Sequence, residues 1–369
     1  MLIAINTIFF NRENELDFLK KILNVLIPAH PEHQFLIISE KDIILENCPN
    51  VSFVQIGVPP SNYTRWLIWI YFKLKKVFKE HRPDLVLNTG EPMISHKKVR
   101  QVVFSPDLKY ILDPNSVSRG LRNMFDIVAP GLYRKVERII VFSEMDKNHL
   151  IKRFRISESK IHILQFGAEE QISPISFEQR DSIKEKYAKG FEYFLFSGYI
   201  NNSKHLTLLL KAFSAFKKRQ RSNMQLLITG KEGQMFSDFK KLVELYKYKN
   251  DVHIITNLSP EEHQDLMSAA YSLIFPSQWD HSVHILLNAL KYEVPSIVTK
   301  TGSLSEAGEN AVLHFDAESI PDLAGKMMLL FKDEKFRKNL IENSKIWLDQ
   351  KNFQSSIDKT WQIIEEASK

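Results

Sequence analysis

The sequence predicts an α/β protein built from two doubly wound halves. Short apolar runs alternate with longer helical patterns, and the strands are almost continuously apolar, which favours parallel sheets covered on both faces. A chain of 369 residues is longer than one hydrophobic core usually supports, so two domains are expected. The polar segment 168–190 divides the strands between the two halves.

Twelve strands are predicted, each six to nine residues long and rich in apolar side chains. They are residues 2–10, 34–39, 51–56, 84–89, 98–105, 138–143, 160–165, 192–198, 224–230, 251–256, 271–276 and 294–300. Helices are predicted where apolar residues recur every three or four positions between these strands. They occupy 13–27, 65–80, 144–154, 203–219, 236–248, 260–270, 282–292 and 319–331. Residues 333–369 are helical in pattern, with Trp347 and Trp361 as large apolar anchors.

Composition and charge restrict the function classes. A chain that is 44% hydrophobic and 25% charged is typical of a globular protein and excludes a disordered one. The net charge of +6 favours an anionic partner, which could be nucleic acid, a phosphorylated small molecule or an acidic membrane surface. Cys48 is the single cysteine, so an intrachain disulfide, a cysteine zinc cluster and an iron–sulfur site are excluded.

The apolar N-terminal run is expected to be a buried strand and not a signal peptide. No basic region precedes it, and no small-residue cleavage site follows it. The longest uninterrupted apolar stretch, 66–72, is too short to span a bilayer. We therefore expect a cytoplasmic protein that is not an integral membrane protein.

The stretch FLFSGYINNSKHLTLLLKAFSAF indicates a strand, a turn and a helix. The strand ends at Ser197, Gly198 turns the chain, and Ser203 is a good N-cap for the helix. Lys204 then lies in the first helical turn, where a cation opposes the helix dipole unless an anion such as phosphate joins it. The alternative is a solvated lysine at the edge of a loop, and this stretch alone does not separate the two.

The stretch QWDHSVHILLNAL indicates a second helix start. Ser282 is a plausible N-cap, and the following apolar residues form a core face. Asp280, His281, His284 and Asn288 would form a polar cluster around outward-pointing backbone amides, which bind anions. The alternative is an ordinary capped helix with a solvated face.

These two stretches, at this spacing, resemble glycosyltransferase family 4 (glycosyl transferases group 1) of the GT-B fold. GYINNSK is similar to that family's Gly-Arg, four residues, Lys segment. Residues 272–290 are similar to its strand, Pro-Ser and Glu-Gly-Phe-Gly…Glu-Ala segment, and the likeness continues through 293–319. The resemblance covers about residues 100–345. It implies two Rossmann-like domains that face a cleft, with C-terminal helices. We expect domain bounds of 1–170 and 171–345, followed by a helix over 346–369 that returns to the first domain.

The resemblance implies transfer of a hexose from a nucleotide sugar, with retention and without a metal or other cofactor. Lys204 matches the lysine that contacts the donor pyrophosphate, and Asp280 matches a glutamate near the donor sugar hydroxyls. These two are the expected catalytic residues. Asn288 matches a glutamate that accepts hydrogen bonds from the ribose. We expect the donor to carry UDP or GDP, and the acceptor to be a saccharide or a lipid-linked acceptor in cell-surface polysaccharide synthesis.

Further donor-site positions follow from the same resemblance. The backbone amides of His281, Ser282 and Val283 would approach the phosphates, and backbone groups of Asn257 and Leu258 would meet the nucleobase. Other expected positions are Gly198 and Tyr199 for the donor and Asp107 on the acceptor side.

The sequence departs from the family pattern in the donor site. Tyr199 stands where an arginine normally pairs with the pyrophosphate, and Asn288 replaces a glutamate. Residues 281–283 replace a glycine-rich loop, and their Cβ atoms hinder the approach of backbone to phosphate. Two alternatives to an active transferase are therefore a catalytically inactive GT-B subunit that binds a partner transferase, and a nucleotide-sugar epimerase.

Residues 63–82 predict a basic amphipathic helix. Aromatic residues with lysines suit a helix that lies on anionic lipid, which would make the protein peripheral to the inner face of the cytoplasmic membrane. The alternative is that Trp66 and Ile70 belong to the core and the lysines form their solvated face. The residues concerned are Trp66, Trp69, Ile70, Lys73, Lys75, Lys76 and Lys79.

Nucleic acid and metal ions are not expected as partners. No zinc finger, helix-turn-helix spacing or RNP-type aromatic motif is present in the sequence, and its positive charge is spread over many segments. His281 and His284 are three residues apart but lack an evident further metal ligand.

Overall fold

The computed structural model of the chain is described here over most of its length. The described residues are 1–8, 13–40, 48–57, 60, 63–89, 99–104, 119–164, 175–198, 200, 204–233, 236–276, 283–301, 303–351 and 353–369. They form two compact units, one of residues 1–165 with 354–369 and one of residues 166–353. Each unit has its own parallel sheet.

The first unit contains a seven-stranded sheet in the order β3-β2-β1-β4-β5-β6-β7, and the second a six-stranded sheet in the order β10-β9-β8-β11-β12-β13. All recorded strand pairs are parallel. The strands are β1 Leu2–Asn6, β2 Gln34–Ser39, β3 Val51–Gln55, β4 Leu85–Asn88, β5 Arg100–Phe104, β6 Arg138–Val141, β7 Ile161–Ile163, β8 Tyr193–Ser197, β9 Gln225–Gly230, β10 Val252–Thr256, β11 Ser272–Phe275, β12 Ser296–Thr299 and β13 Leu313–Phe315. The predicted fold class, two doubly wound parallel sheets with C-terminal helices, is confirmed.

Helices connect most successive strands. They are α1 Glu13–Ala29, α2 Tyr63–His81, α3 Arg119–Tyr133, α4 Glu144–Phe154, α5 Phe177–Ala188, α6 Lys204–Gln220, α7 Phe236–Glu244, α8 Pro260–Ser268, α9 Val283–Lys291, α10 Ser303–Gly308, α11 Ile320–Lys332, α12 Glu334–Gln350 and α13 Phe353–Ser368. Short 3₁₀ turns occupy Glu158–Lys160, Lys249–Asp251 and Glu309–Ala311.

Four elements were not predicted, for identifiable reasons. Strand β13 and helix α10 are too short to carry a periodic pattern. Helix α3 contains Pro130 and Gly131, which usually interrupt a helix. Helix α5 lies inside the polar segment 168–190 and buries little apolar surface, but a capping box between Ser176 and Gln179 starts it.

Helix α2 covers one face of the first sheet. Ile70, Leu74, Val77 and Phe78 are buried and pack against strand residues such as Val86. The alternative interpretation of 63–82 is therefore correct for Ile70, which belongs to the core. The side chain of Trp66 lies outside the described residues.

The last helix, α13, completes the first unit. Trp361 stacks on His30, with ring centroids 3.5 Å apart and an interplanar angle of 16°, and it also stacks on His33 at 5.1 Å. The ammonium of Lys359 donates to the carbonyl of Ile163 at 2.7 Å, so the helix also contacts the end of β7. The predicted C-terminal helix began at residue 346, whereas the structure ends α12 at Gln350 and begins α13 at Phe353.

Replacement of Trp361 by alanine should lower the free energy of unfolding of the first unit by about 3–5 kcal/mol, because it leaves a cavity beside two imidazole rings. Urea unfolding followed by circular dichroism measures the change. Phe72→Ala is the matched control in the same unit, because Phe72 is 64% exposed. The control should change stability by less than about 0.5 kcal/mol, and equal losses for both variants would contradict the packing role of Trp361.

The second unit should lose stability in mild acid. Burial lowers the pKa of His253 and of His263 below the value of about 6.5 that a histidine has in an unfolded chain. Both rings therefore bind protons less readily in the folded state than in the unfolded state. The second unit therefore has its full free energy of unfolding at a pH above about 6.5. As the pH falls below that value, each ring lowers the free energy of unfolding by at most about 1.4 kcal/mol per pH unit. Thermal melting between pH 7.5 and 5.5 should show a smaller decline when both histidines are replaced by glutamine, and an equal decline would contradict this assignment.

Candidate functional site

The two predicted anion-binding stretches follow strands β8 and β11 at the carboxyl edge of the second sheet. From β8 the chain proceeds outward through β9 to β10, and it then returns to the other side of β8 as β11. The switch in direction therefore lies between β8 and β11, which pair directly. Helix α6 begins at Lys204 after β8, and helix α9 begins at Val283 after β11. Ligands of open parallel sheets bind at such a switch point.

The turn after β8 is fixed by the backbone of the loop after β9. The amide of Gly198 donates to the carbonyl of Thr229 at 3.0 Å. The amide of Ile200 donates to Lys231 at 2.8 Å, and the amide of Gly233 donates back to Ile200 at 2.9 Å. The pairing of β8 with β9 thus continues beyond the strands and holds the start of the predicted phosphate turn.

Gly230 allows these two loops to approach each other. Its φ of +133° is rarely adopted by residues with a side chain, and a Cβ atom there would lie 1.8 Å from the carbonyl oxygen of Gly198. A side chain at this position would therefore displace the turn after β8. No role was predicted for Gly230, although a glycine at the end of a predicted strand is a signal for close backbone approach.

The loop after β10 is the predicted nucleobase side. Asn257 has a φ of +60°, in the left-handed region that asparagine tolerates, and it is exposed, whereas Leu258 is half-buried. Ser259 then caps α8 in a capping box with Glu262. The loop is therefore closed by a left-handed residue at one end and by a helix cap at the other.

Helix α5 supports this cap from the side. Lys186 and Tyr187 contact Oε1 of Glu262 at 3.2 and 3.1 Å, while Oε2 of the same carboxylate accepts from the amide of Ser259 at 3.1 Å. The Ser259 amide first, and Lys186 and Tyr187 after it, lower the pKa of Glu262. The carboxylate is thus held in its charged form, in which it accepts all three hydrogen bonds.

A hydrogen bond joins the phosphate side to the base side. Oγ of Ser197, the last residue of β8, lies 2.6 Å from Nε2 of His263 in α8. Ser197 is buried and the ring of His263 is half-buried. Neither residue was singled out in the sequence, because a serine at a strand end and a histidine on a helix are both common.

Helix α9 has the predicted burial pattern. Ile285, Leu286, Ala289 and Leu290 are buried, whereas His284 and Asn288, one turn apart, are half-buried. Val283 is fully buried, so its side chain faces the core. The remaining predicted positions lie outside the described residues, namely Tyr199, Asp280, His281, Ser282, Asp107 and the side chain of Lys204.

A ladder of buried amides crosses the switch point of the first sheet, between β1 and β4. Asn6 donates to Asn88 at 3.1 Å, and Asn88 donates to Gln101 at 3.1 Å. The hydroxyl of Thr89 donates to the carbonyl of Asn6 at 2.7 Å. These hydrogen bonds were not predicted, because Asn6 and Asn88 lie inside the predicted strands 2–10 and 84–89 and only the structure shows that β1 and β4 end at them.

Neither unit offers a metal cluster or a membrane-spanning helix within its described part. No group of three histidine, cysteine or carboxylate side chains among the described residues could hold a metal ion. Likewise, no described helix is long and apolar enough to cross a membrane.

Two family models match the chain and confirm the resemblance predicted from the sequence. Glycosyltransferase Family 4 matches residues 30–170, and Glycosyl transferases group 1 matches residues 178–347. The O-antigen chain mannosyltransferase B of Escherichia coli is 20% identical over 200 residues. These are 54% of this chain and 52% of that protein, so the chain matches about half the length of this relative.

Two solved structures share the fold over nearly the whole chain. WaaG, a glycosyltransferase involved in lipopolysaccharide biosynthesis, is 17% identical with a TM-score of 0.74, and the match covers 98% of this chain and 99% of WaaG. HepE of Anabaena, in complex with UDP and glucose, is 14% identical with a TM-score of 0.73, and the match covers 99% and 100%. At these identities the likeness shows the fold.

Gly230→Ala should displace the turn after β8 and weaken ligand binding at the carboxyl edge of the second sheet by at least about tenfold, because backbone must move to relieve the overlap. Calorimetric titration with a nucleoside diphosphate measures the loss. Gly325→Ala is the control, since a Cβ atom there meets nothing within 4 Å. Unchanged affinity in the folded Gly230→Ala protein would contradict the role of this approach.

Proposed function

Since the chain is a glycosyltransferase of the Family 4 and group 1 type, we propose that it transfers a hexose from a nucleoside-diphosphate sugar to a saccharide or lipid-linked acceptor. The reaction serves cell-surface polysaccharide synthesis, proceeds with retention and needs no metal. The similarity to the E. coli mannosyltransferase and to WaaG, a glycosyltransferase involved in lipopolysaccharide biosynthesis, supports the substrate class. HepE, whose structure holds UDP and glucose, supports a nucleotide donor.

One observation carries the proposal, which is that two helices begin after the two paired strands that flank the switch point of the second sheet. Helices α6 and α9 follow the neighbouring strands β8 and β11 and span 17 and 9 residues. The first amides of a helix lack intrahelical partners and carry partial positive charge, so each helix start attracts an anion. A diphosphate supplies one phosphate group to each helix.

The nucleobase of the donor binds beside Asn257 and Leu258. The left-handed backbone of Asn257 and the capped start of α8 leave main-chain groups of this loop for the edge of the nucleobase. Main-chain groups pair with more than one base, so both UDP and GDP remain candidate nucleotides.

The chemistry requires that charge on the leaving diphosphate be stabilised. The acceptor hydroxyl oxygen bonds to the anomeric carbon while the bond from that carbon to the β-phosphate oxygen breaks, and the hydroxyl proton passes to the leaving phosphate. Helix-start amides and Lys204 stabilise the developing negative charge, and Asp280 orients the sugar. Asn288 contacts the ribose. The acceptor attacks from the side of the leaving group, which retains the configuration. The acceptor binds to the first unit, where Asp107 is the candidate contact.

Calorimetric titration with UDP, GDP and ADP tests the donor site. One of the three should bind, and Lys204→Ala should weaken it by about tenfold to a hundredfold, because a charge-assisted hydrogen bond to phosphate is lost. Lys211→Ala is the matched control, since Lys211 is exposed on the same helix two turns further along.

Either of two results would contradict the proposal. If none of the three nucleotides binds at millimolar concentration, the donor site is not functional, and an inactive subunit that binds a partner transferase becomes the better interpretation. If a nucleotide sugar is consumed without an acceptor, the epimerase alternative is favoured.

The outer face of α2 is the candidate membrane contact, on the inner face of the cytoplasmic membrane. Ile68, Tyr71 and Phe72 are 56%, 43% and 64% exposed on the first half of the helix. Lys75 and Lys76 follow on the exposed face of its second half. Exposed aromatic and aliphatic side chains beside cations suit a helix that lies on anionic lipid, and such a surface would bring the enzyme to a lipid-linked acceptor.

Ile68→Ser together with Phe72→Ser should reduce binding to phosphatidylglycerol vesicles by at least about tenfold, since two side chains that enter the interface are lost. Vesicle co-sedimentation measures this, with phosphatidylcholine vesicles as the neutral reference. Leu245→Ser is the matched control, because Leu245 is 87% exposed in the other unit. Equal binding by the double variant and the wild type would rule out this face.

A further inference from the structure

Ser197 and His263 join the two halves of the proposed donor site. Ser197 directly precedes Gly198, where the phosphate-side turn begins, and His263 lies in the second turn of α8, just after the base-side loop. Their 2.6 Å hydrogen bond is a direct side-chain contact between these two segments.

Hydrogen bonds fix the chain beside Ser197 and beside His263. On the phosphate side, the amide of Gly198 is bound to Thr229 at 3.0 Å. On the base side, Ser259 and Glu262 form the capping box that begins α8, and Lys186 contacts Glu262 from α5. These bonds fix each segment to its own neighbours, and the His263 ring is a contact that links one segment to the other.

We infer that His263 is a positioning residue that keeps the phosphate-side turn at a fixed distance from the base-side loop. The inference rests on the proposed function, because it concerns the same donor site. A nucleoside diphosphate has a limited span between its base and its β-phosphate, so one ligand engages both segments fully only if their separation is maintained. Binding through two linked contacts is much tighter than binding through either alone when the geometry fits both.

This role predicts a selective loss of affinity. His263→Leu fills the position but cannot bond to Ser197, so it should weaken binding of the whole nucleotide by about tenfold, the order of one hydrogen bond. Binding of inorganic pyrophosphate, which needs only the phosphate side, should stay within about twofold, since its own contacts are unchanged. The KM for the donor should rise while kcat is retained.

The experiment compares UDP or GDP, whichever the wild type binds, with pyrophosphate by calorimetry. His263→Gln should restore most of the affinity, because its amide can replace Nε2. Ser197→Ala should reproduce the loss, and the double variant with His263→Leu should be no weaker than either single variant. His253→Leu is the matched control: this half-buried ring lies in the same unit, 2.9 Å from Gln225, and its pKa is also lowered by burial.

Three outcomes would overturn the inference. These are wild-type nucleotide affinity in both His263→Leu and Ser197→Ala, equal losses for nucleotide and pyrophosphate, or an equal loss in His253→Leu. A thermal melt of each variant identifies a protein that has failed to fold, and Ser197→Ala then decides. If the wild type binds no nucleotide, the proposed function itself fails, and this result is seen before any variant is compared.

Discussion

The carbonyl of Gly198 lies against the backbone of Gly230, and the carboxyl edge of the second sheet depends on this approach. With no Cβ at residue 230, the loops after β8 and β9 continue the pairing of their strands, as the hydrogen bond from Ile200 to Lys231 shows. The start of the turn that leads to α6, at Gly198 and Ile200, is thereby fixed by main-chain contacts. These contacts are made by backbone atoms, so they do not depend on the charge of any side chain.

In the second unit, apolar and polar interactions fix different parts of the structure. A core that includes Phe194, Phe213 and Phe239 fixes the strands and covering helices. Polar contacts such as Ser197 with His263 and Lys186 with Glu262 then fix the loops at one edge of the sheet. The core determines which strand ends are neighbours, and the polar contacts determine the distances between the segments that follow them. Substitutions in the second group are therefore expected to change ligand affinity more than the fold.

The fold could be predicted from the sequence because apolar strands and amphipathic helices alternate with a clear period. All twelve predicted strands are present, each within the predicted bounds, whereas β13 escaped prediction because three residues carry no readable pattern. For the candidate site, the sequence could predict the ends of β8 and β11 and the starts of α6 and α9, but not the long-range contacts beside them. His263 and Glu262 reach partners 66 and 76 residues away, and such pairings follow from strand order and not from local spacing.

The proposed function requires that a nucleoside diphosphate bind at the switch point between β8 and β11. Amide hydrogen exchange of the wild-type protein, measured with and without the bound nucleotide, tests it most directly because it locates the ligand without any substitution. We expect slower exchange in 198–204, in 257–259 and at the start of α9, with little change at the opposite edge of the same sheet. Protection confined to other segments, or none despite binding, would contradict it.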